Sequence, residues 1–453
     1  MKRPWLTRGI LPIIISLLLA ACGAPATEPP PPAPTQPPAT QPLPTQPPPT
    51  VVPPTATSAP VATPTAAPTV APTPAPASNP IVHLAAGQPL TITTIHMFDS
   101  NIGWAIGGPI NIGDHVLRTG DGGQTWTDVT PPEPASPPET PARAVSHFMD
   151  EQTAWAAYSY FNGGEASGVV WRTTDGGQTW QASALVNWAD AGDYFDPTDM
   201  QFLDRQNGFL LAHLGVGMSH DYVSLYRTRD GGANWERVAD PALNNLQMSC
   251  GKTGMVFADS QTGWVTGDCY GVAPGVFLQA TGDGGQTWQT PELAPPADQH
   301  DLFQSDVIGC GTYAAAAAAP QSAVIVVRCV HFTADPIRTD SFLYTTSDGG
   351  QTWRLSPTPL PAASASVTFL DDQHGWAQGT ADPNNPAAPL DIYQTADGGQ
   401  TWTKVGSVTW SGSFNFVNDQ TGWAIAQAGE ALALVATTDG GQKWQLLQPQ
   451  IGP

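Results

Sequence analysis

The sequence predicts an all-β protein: a seven-bladed β-propeller of four-stranded antiparallel blades, preceded by a disordered stalk rich in Pro and Thr. Three observations lead to this prediction. One phrase containing Asp-Gly-Gly recurs seven times, a second phrase ending in Gly-Trp recurs between its copies, and short strand-like segments bounded by turn residues fill the intervals. The copies lie about 42 to 65 residues apart, a spacing typical of propeller blades or solenoid turns. Even strand spacing with tight turns favours a closed all-β array.

Residues 1–21 are predicted to be a lipoprotein signal peptide. A basic start, Lys2, Arg3 and Arg8, precedes an apolar run over residues 10–20 that is too short to span a bilayer. The run ends in Leu-Ala-Ala-Cys, which resembles the lipobox of bacterial lipoproteins. That resemblance implies cleavage before Cys22 and its acylation, and hence a protein anchored by lipid to the outer face of a bacterial membrane. The alternative is an ordinary signal peptide with a chance Cys.

Residues 22–80 are predicted to be a disordered linker. They consist mainly of Pro, Thr, Ala and Gln, with almost no charge and few large apolar groups. Such a segment cannot bury enough surface to offset the entropy of ordering, and its prolines favour an extended chain. We expect this stalk to hold the domain at residues 81–453 away from the membrane.

The charge balance excludes one class of partner. The formal net charge is −22, from 16 Lys and Arg against 38 Asp and Glu. A chain so poor in cations cannot neutralise phosphates, so we expect no nucleic-acid partner. We also expect a monomer without a cofactor or a bound metal.

The four Cys that follow Cys22 form two pairs of equal spacing, Cys250 with Cys269 and Cys310 with Cys329. On the outer side of a membrane, an even number of Cys indicates disulfides. The alternative is a zinc site of four thiolates, but the chain has no Cys-x-x-Cys spacing. We therefore predict the disulfides Cys250–Cys269 and Cys310–Cys329.

The first repeated phrase, called the box here, has the form Thr-x-Asp-Gly-Gly-x-x-Trp. Its Asp can accept hydrogen bonds from amides of its own turn, the glycines supply positive φ, and the Trp can bury roughly 200 Å². A Ca²⁺ loop is the alternative, but one carboxylate per box is too few oxygens for a hard cation. We therefore predict structural turns at the box residues Asp121, Asp175, Asp230, Asp283, Asp348, Asp397 and Asp439, with Trp126, Trp180, Trp235, Trp288, Trp353, Trp402 and Trp444.

The second phrase has the form Phe-x-Asp-x-x-x-Gly-Trp and divides each repeat into strands. Strand a ends at the Phe, strand b begins at Gly-Trp, strand c leads into the box, and strand d begins at its Thr-Trp. The fifth repeat lacks the phrase, but the equal Cys spacing aligns residues 317–324 with residues 257–264. The Ala-rich run at residues 313–319 is then a strand, although polyalanine also favours a short helix.

The box resembles the Asp-box, or BNR repeat, of sialidases and related propellers. Its pairing with the second phrase, over residues 90–448, resembles the photosystem II assembly and stability factor group. The first resemblance implies a structural turn between the third and fourth strands of each blade. The second implies a factor that assembles or stabilises a membrane protein complex. The sialidase-like alternative is a glycoside hydrolase, which requires an arginine triad. Arg118, Arg172 and Arg227 do not match this triad, because they end strand c on the box side of the propeller, away from where the triad of sialidases lies. We expect them to support hairpins or form surface ion pairs.

The candidate binding site lies on the face that carries the b–c and d–a connections, because these connections vary in length and content. A metal or carbohydrate site and a solvated acidic loop are both compatible with its residues, and a pair of acids for glycoside hydrolysis could also be drawn from them. We predict a non-catalytic scaffold that binds a protein or a glycan there. The candidate residues are Trp188, Asp190, Asp193, Tyr194, Asp196, His213, His220 and Asp221.

Overall fold

The computed structural model describes residues 83–132, 143–158, 167–184, 186–187, 195–217, 220–243, 245–270, 275–305, 307–319, 321–335, 337–361, 363–380, 385 and 388–453. The predicted signal peptide, Cys22 and the predicted stalk lie outside these residues. The chain divides into two units, 1–72 and 73–453, and every described residue belongs to the second. No helix among the described residues has the length and apolar character that a membrane crossing requires.

The described chain forms seven blades of antiparallel strands, which confirms the predicted propeller. Blade 1 contains β1 (Thr91–Met97), β2 (Gly103–Gly108), β3 (His115–Thr119) and β4 (Thr125–Asp128). Blade 2 contains β5 (Ala144–Phe148), β6 (Ala154–Tyr158), β8 (Val170–Thr173) and β9 (Gln181–Ala182). Blade 3 contains β11 (Asp196–Phe202), β12 (Gly208–Gly217), β13 (His220–Thr228) and β14 (Glu236–Ala239). A two-stranded ribbon pairs β7 (Ser167–Gly168), in the b–c connection of blade 2, with β10 (Val186–Asn187), in the connection from blade 2 to blade 3.

Blade 4 contains β15 (Gly251–Phe257), β16 (Gly263–Asp268) and β17 (Leu278–Thr281), and blade 5 contains β18 (Ile308–Ala319), β19 (Ser322–His331), β20 (Arg338–Thr346) and β21 (Arg354–Leu355). Blade 6 contains β22 (Ala363–Phe369), β23 (Gly375–Thr380), β24 (Leu390–Thr395) and β25 (Thr403–Val408). Blade 7 contains β26 (Ser411–Phe416), β27 (Gly422–Ala428), β28 (Ala431–Thr437) and β29 (Gln445–Leu446). A short 3-10 helix, Leu302–Gln304, precedes blade 5, and β30 (Gln450–Ile451) ends the fold.

The outer strands depart from the prediction in two places. In blade 4 the fourth strand is reduced to a single bridge between Ala280 and Gln289. Pro291 follows two residues later, and proline cannot donate a hydrogen bond to a strand ladder. Strand d begins at Thr125 in blade 1, as predicted, but in blades 2, 3, 5, 6 and 7 it begins one residue after the Trp.

The ring closes through both ends of the folded unit. Strand β30 pairs in parallel with β4. On its other side it pairs with the segment before β1, where the Gly87 amide donates to the Ile451 carbonyl at 2.9 Å. Side chains of blade 7 also reach blade 1, because Trp423 Nε1 donates to the Gly122 carbonyl at 2.9 Å and the Met97 amide donates to Asn415 Oδ1 at 2.7 Å. Chain ends that are far apart in sequence thus join the first and last blades.

The second repeated phrase builds the contact between neighbouring blades. The aromatic side chain of strand b stacks on the Phe that ends strand a of the following blade. The ring centroids lie 3.7 Å apart for Trp155 and Phe202, 3.5 Å for Phe209 and Phe257, 3.6 Å for Trp376 and Phe416, and 5.5 Å for Trp104 and Phe148. A stacked aromatic pair stabilises the contact by more than the burial of its apolar area alone. The phrase therefore places the same kind of stacked ring pair at four of the interfaces between blades.

The box forms the same turn in each blade. In blade 4, Asp283 accepts hydrogen bonds from the Thr287 amide at 2.9 Å, from Thr287 Oγ1 at 2.6 Å and from Thr281 Oγ1 at 2.9 Å. The first glycine of every box donates its amide to a carbonyl of the a–b turn in the same blade, at 2.8–2.9 Å, from Gly122, Gly176, Gly231, Gly284, Gly349, Gly398 and Gly440. Both turns therefore lie on one face, called the box face here, and the b–c and d–a connections lie on the other.

The fifth repeat follows the predicted register. Cys310 and Cys329 lie opposite each other on β18 and β19 and form a disulfide, as do Cys250 and Cys269, so both predicted disulfides are confirmed. Ala323 pairs with the box residue Thr346, as the Gly of Gly-Trp does in other blades. Val324 therefore occupies the position that an aromatic residue holds elsewhere, and the Ala-rich run is part of a strand.

Candidate functional site

The candidate residues divide into a described and an undescribed group. Trp188, Asp190, Asp193 and Tyr194 lie outside the described residues. Asp196, His213, His220 and Asp221 are described, and all four belong to blade 3. The latter group lies at the face opposite the box face, where the site is predicted.

The b–c hairpin of blade 3 is long because β12 and β13 stay paired up to Gly217 and His220. A register shift interrupts the pairing between His213 and Gly215, where Gly215 has a φ of 140°. At this irregular pairing the two strands are joined by a side-chain contact, in which His213 Nδ1 lies 2.8 Å from Asp221 Oδ1. Sequence reasoning placed both residues in one connection, and the hairpin brings them into contact.

The Asp221 carboxylate is buried and held in its ionised form. Burial opposes ionisation, but hydrogen bonds from His213 and from the Lys252 amide, the latter at 2.7 Å, outweigh it and lower the pKa of Asp221. Its oxygens thus bind two neighbouring groups. In this arrangement the carboxylate fastens the blade 3 hairpin to the beginning of strand a in blade 4.

Blade 4 supplies the opposite wall, which the sequence prediction missed. The disulfide Cys250–Cys269 joins the beginning of β15 to the end of β16 and so fixes the backbone that carries Gly251, Asp268 and Tyr270. Burial first, and the nearby Asp221 charge second, raise the pKa of Asp268. The two carboxyl groups of the site thus have pKa values shifted in opposite directions.

Lys252 lies beneath this wall and was not identified from the sequence. Its side chain is buried, and Nζ donates to the backbone carbonyls of Ser249 and Cys250 at 3.0 Å each and of Asp221 at 3.3 Å. Nζ also lies 5.0 Å from the centre of the Phe277 ring. Burial lowers the pKa of Lys252 to about 8, despite the opposing effect of Asp221. The lysine binds the two blades to each other and is not available to a ligand.

The two walls enclose a cleft of about 260 Å³ that is open to solvent. We call it the hairpin cleft, and it is lined by His213, Val216, His220, Asp221, Cys250, Gly251, Asp268 and Tyr270.

The rim of the hairpin cleft exposes apolar surface. On blade 3, Val216 is 83% exposed, and the Tyr222 ring stacks on His220 with centroids 5.9 Å apart. On the other side, the Tyr270 ring meets the edge of Phe332 at 6.2 Å, and Phe332 is 45% exposed on the b–c hairpin of blade 5. The acidic floor is thus bordered by apolar groups from blades 3, 4 and 5.

The fourth described candidate, Asp196, lies apart from the hairpin cleft. Asp196 lies beside His213 in the sheet register and 3.5 Å from Arg143, so it contributes to the surrounding ion pairs and does not line the cleft. Among the described residues, no group of three or more His, Cys, Asp or Glu side chains could hold a metal ion.

The three arginines that precede boxes lie on the box face, away from the hairpin cleft, and one of them reaches the next blade. Arg227 Nη1 donates to the Gly284 carbonyl in the next box at 3.2 Å, and its Nη2 pairs with Glu236 at 2.9 Å. The guanidinium groups of Arg118 and Arg172 lie over the strand b indoles of their own blades, 5.8 and 5.6 Å from the ring centres. These residues support blade packing, and none of them lines the cleft.

No family model matches the chain. Over 257 residues, 52% of this chain and 23% of the relative, it is 25% identical to a xyloglucanase from Paenibacillus sp.. Over 186 residues, 41% of this chain and 42% of the relative, it is 27% identical to the photosystem II assembly lipoprotein Ycf48 from Synechococcus sp. (strain CC9902). The matches thus span about a quarter and two fifths of these relatives.

Among solved structures, the chain is similar to Ycf48 bound to a D1 peptide, with a TM-score of 0.46, 18% identity, and coverage of 81% of this chain and 99% of that one. The predicted similarity to the photosystem II assembly factor group is confirmed by the sequence match to Ycf48. The two curated relatives are an enzyme and an assembly lipoprotein, so similarity by itself does not assign a function to this chain.

Proposed function

We propose that this propeller is a non-catalytic binding module that is tethered to the outer face of a bacterial membrane through Cys22 and holds a protein partner in the hairpin cleft. One observation supports this proposal above the others. The floor of the cleft is fastened by the His213–Asp221 contact, by the hydrogen bond from the Lys252 amide to Asp221 and by a disulfide, whereas its rim exposes the side chains of Val216, Tyr222 and Phe332. Exposed aromatic and apolar side chains held on a fixed backbone are the residues that protein interfaces bury as anchors.

The sequence similarity to an assembly lipoprotein supports a particular kind of partner. A scaffold that is anchored on a membrane and raised by a stalk would meet membrane proteins or their extracytoplasmic segments. We therefore propose a subunit of a membrane complex as the partner, and an assembly or stability role as the consequence of binding. The strongly acidic chain suits a partner surface of positive charge.

The test is affinity purification of the tagged protein from mildly solubilised native membranes, with Cys22→Ala as the control for anchoring. We expect a protein partner in near-stoichiometric amount with the native chain and much less with the control, because the anchor raises the local concentration of both proteins. Recovery of the chain alone would contradict the proposal.

A second candidate, glycoside hydrolysis, is favoured by one specific observation. Two carboxyl groups of one cleft, Asp221 and Asp268, have pKa values shifted down and up respectively, which is the pattern that separates the base or nucleophile from the acid. The similarity to a xyloglucanase adds to it. Hydrolysis of xyloglucan and of aryl glycosides, including a sialoside, tests this candidate. We expect no turnover, whereas turnover lost in Asp268→Asn would establish an enzyme.

A further inference from the structure

A second cleft lies on the box face, between blades 5 and 6. It has a volume of about 470 Å³ and is formed by strand b and the box turn of blade 5 together with the two turns of blade 6. We call it the blade 5/6 slot, and the residues used below are Ser322, Val324, Leu355, Asp372, Gln373 and Gly398. The hairpin cleft lies on the opposite face, so this site is separate from the proposed function.

The slot lies next to a strand b position that is occupied by a tryptophan at several other interfaces between blades. In blade 5 the strand b position that precedes the next blade is held by Val324, as the pairing of Val324 with Thr345 shows. The same register pairs Trp155 with Arg172, Trp264 with Ala280, and Trp376 with Gln394. A valine is smaller than an indole and cannot donate a hydrogen bond, so the degenerate repeat leaves part of this position unfilled.

The missing ring changes the environment of its partner. A strand a phenylalanine is buried where the preceding blade has an aromatic residue on strand b, as in Phe148, Phe202, Phe257 and Phe416. Phe369, which follows Val324, remains partly exposed and packs in one cluster with Val324, with its ring meeting Trp402 at 6.2 Å in an edge contact. A partly exposed phenyl ring without a stacked indole gains from an added aromatic partner.

Three of the other interfaces also indicate which donor such a partner should carry. Trp155, Trp376 and Trp423 donate Nε1 to the carbonyl of the first box glycine in the next blade, at 2.8, 3.2 and 2.9 Å. The equivalent glycine of blade 6 is Gly398, which lines the slot. A planar apolar ring with one N–H donor therefore matches both the shape and the acceptor of this position.

We propose that the blade 5/6 slot receives a tryptophan side chain carried by a partner polypeptide. The indole would take the place that the strand b indole occupies elsewhere, above Val324 and toward the Gly398 carbonyl. The slot is larger than an indole requires, and its polar border, which includes Ser322, Asp372 and Gln373, leaves room for hydrogen bonds with the backbone on either side of the tryptophan.

The first arm of the test fills the slot from within. Val324→Trp should supply the missing indole and raise Tm by about 1–3 °C. Val216→Trp adds the same side chain at an exposed position on the opposite face and should leave Tm unchanged. A folded Val324→Trp protein with a lower Tm than the native chain would overturn the proposal, because the position would then have no room for an indole.

The second arm titrates the native chain and does not depend on any variant. N-acetyl-tryptophanamide should give saturable shifts of the Val324 and Leu355 methyl resonances, and N-acetyl-leucinamide should not. The peptide Gly-Gly-Trp-Gly-Gly should bind several-fold more tightly than the amide if the natural ligand is a polypeptide. In Val324→Trp the Leu355 shifts should disappear. An absence of saturable shifts, equal binding of the leucine compound, or no gain with the peptide would overturn the proposal.

Discussion

At the scale of single residues, the strands a of blades 2 and 3 hold partly buried titratable groups that the repeats do not require. His147 lies on strand a of blade 2, directly before Phe148, and Asp199 lies on strand a of blade 3, three residues before Phe202. Burial lowers the pKa of His147 to about 4, with the nearby His96 as a second cause, and raises the pKa of Asp199 to about 6. Asp199 also accepts a hydrogen bond from the Met255 amide at 2.9 Å and thereby joins blade 3 to blade 4.

The Asp199 carboxyl predicts a pH-dependent effect. Because its pKa is about 6 in the folded chain and 3.8 in the unfolded chain, its contribution to stability is complete below pH 3.8 and is lost as the pH rises through 6. Asp199→Asn keeps an oxygen acceptor and cannot ionise. We expect the free energy of unfolding to rise by about 1–3 kcal/mol at pH 8 and by less than about 0.5 kcal/mol at pH 4.

Urea unfolding of both proteins at each pH checks this prediction. The change in His147 protonation is common to both proteins and cancels in the comparison. An equal loss of stability at pH 4 and pH 8 would contradict the account, because it would mean that the Asp199 hydrogen bonds outweigh its buried charge.

Lys252 predicts a second effect at this scale. Lys252→Met keeps the apolar stem and removes the ammonium, which leaves three backbone carbonyls without their donor and takes a nearby positive charge away from the Asp221 carboxylate. We expect the free energy of unfolding to fall by about 2–4 kcal/mol, as measured by urea unfolding at pH 7. Lys404→Met is the matched control, since this lysine is half exposed and its partner Asp391 keeps a hydrogen bond from Ser407, so the loss should be less than about 1 kcal/mol.

At the scale of elements, the box turns differ in one useful way. Asp283 receives hydrogen bonds from both the amide and the hydroxyl of Thr287, whereas Lys443 replaces this Thr in blade 7 and offers Asp439 only its amide. We expect Asp283→Ala to cost roughly 1–2 kcal/mol and Asp439→Ala about half of that. Thermal unfolding of the two variants compares them. A larger effect in blade 7 would contradict the role assigned to the hydroxyl.

Strand boundaries and register on the box face could be predicted because each is set by local chemistry. The Phe, the Gly-Trp pair and the box fix the ends of strands a, b and c within one repeat, and the equal Cys spacing carried the register through the fifth repeat. The short fourth strand of blade 4 was missed because Pro291 acts outside both phrases.

The hairpin cleft could be predicted only in part. His213 and Asp221 were identified because they lie in one connection and meet within one hairpin. Asp268, Tyr270 and Phe332 come from two other blades, and their approach depends on how blades pack around the ring. The blade 5/6 slot was missed for a different reason. Val324 is smaller than the aromatic residues at the equivalent positions, and the space that it leaves is recognised only by comparison with the other interfaces between blades.

At the scale of the whole molecule, closure depends on the last residues of the fold. Strand β30 lies between β4 and residues 87–90 and joins the two ends of the folded unit. Deletion of residues 449–453 removes these pairings and uncovers the outer edge of blade 1. We expect Tm to fall by several degrees and unfolding to lose cooperativity, measured by calorimetry. A single sharp transition at the native Tm would show that the other contacts between blades 7 and 1 suffice.

The acidic chain, the repeated blades and the apolar rim combine into one account, in which the ring carries the proposed recognition surface on the connections of blades 3 to 5. The repeats explain the scaffold, and the irregular hairpins explain where a partner would bind. The central claim is therefore that binding depends on the rim of the hairpin cleft and not on the ring as such.

The most direct test is quantitative co-purification from native membranes with Val216→Asp/Phe332→Asp, which places charge on both sides of the hairpin cleft. Leu446→Asp is the matched control, because Leu446 is an exposed apolar residue on the outer strand of blade 7. The account predicts at least a tenfold loss of the partner with the double variant and native recovery with the control. Equal recovery with all three proteins would contradict it.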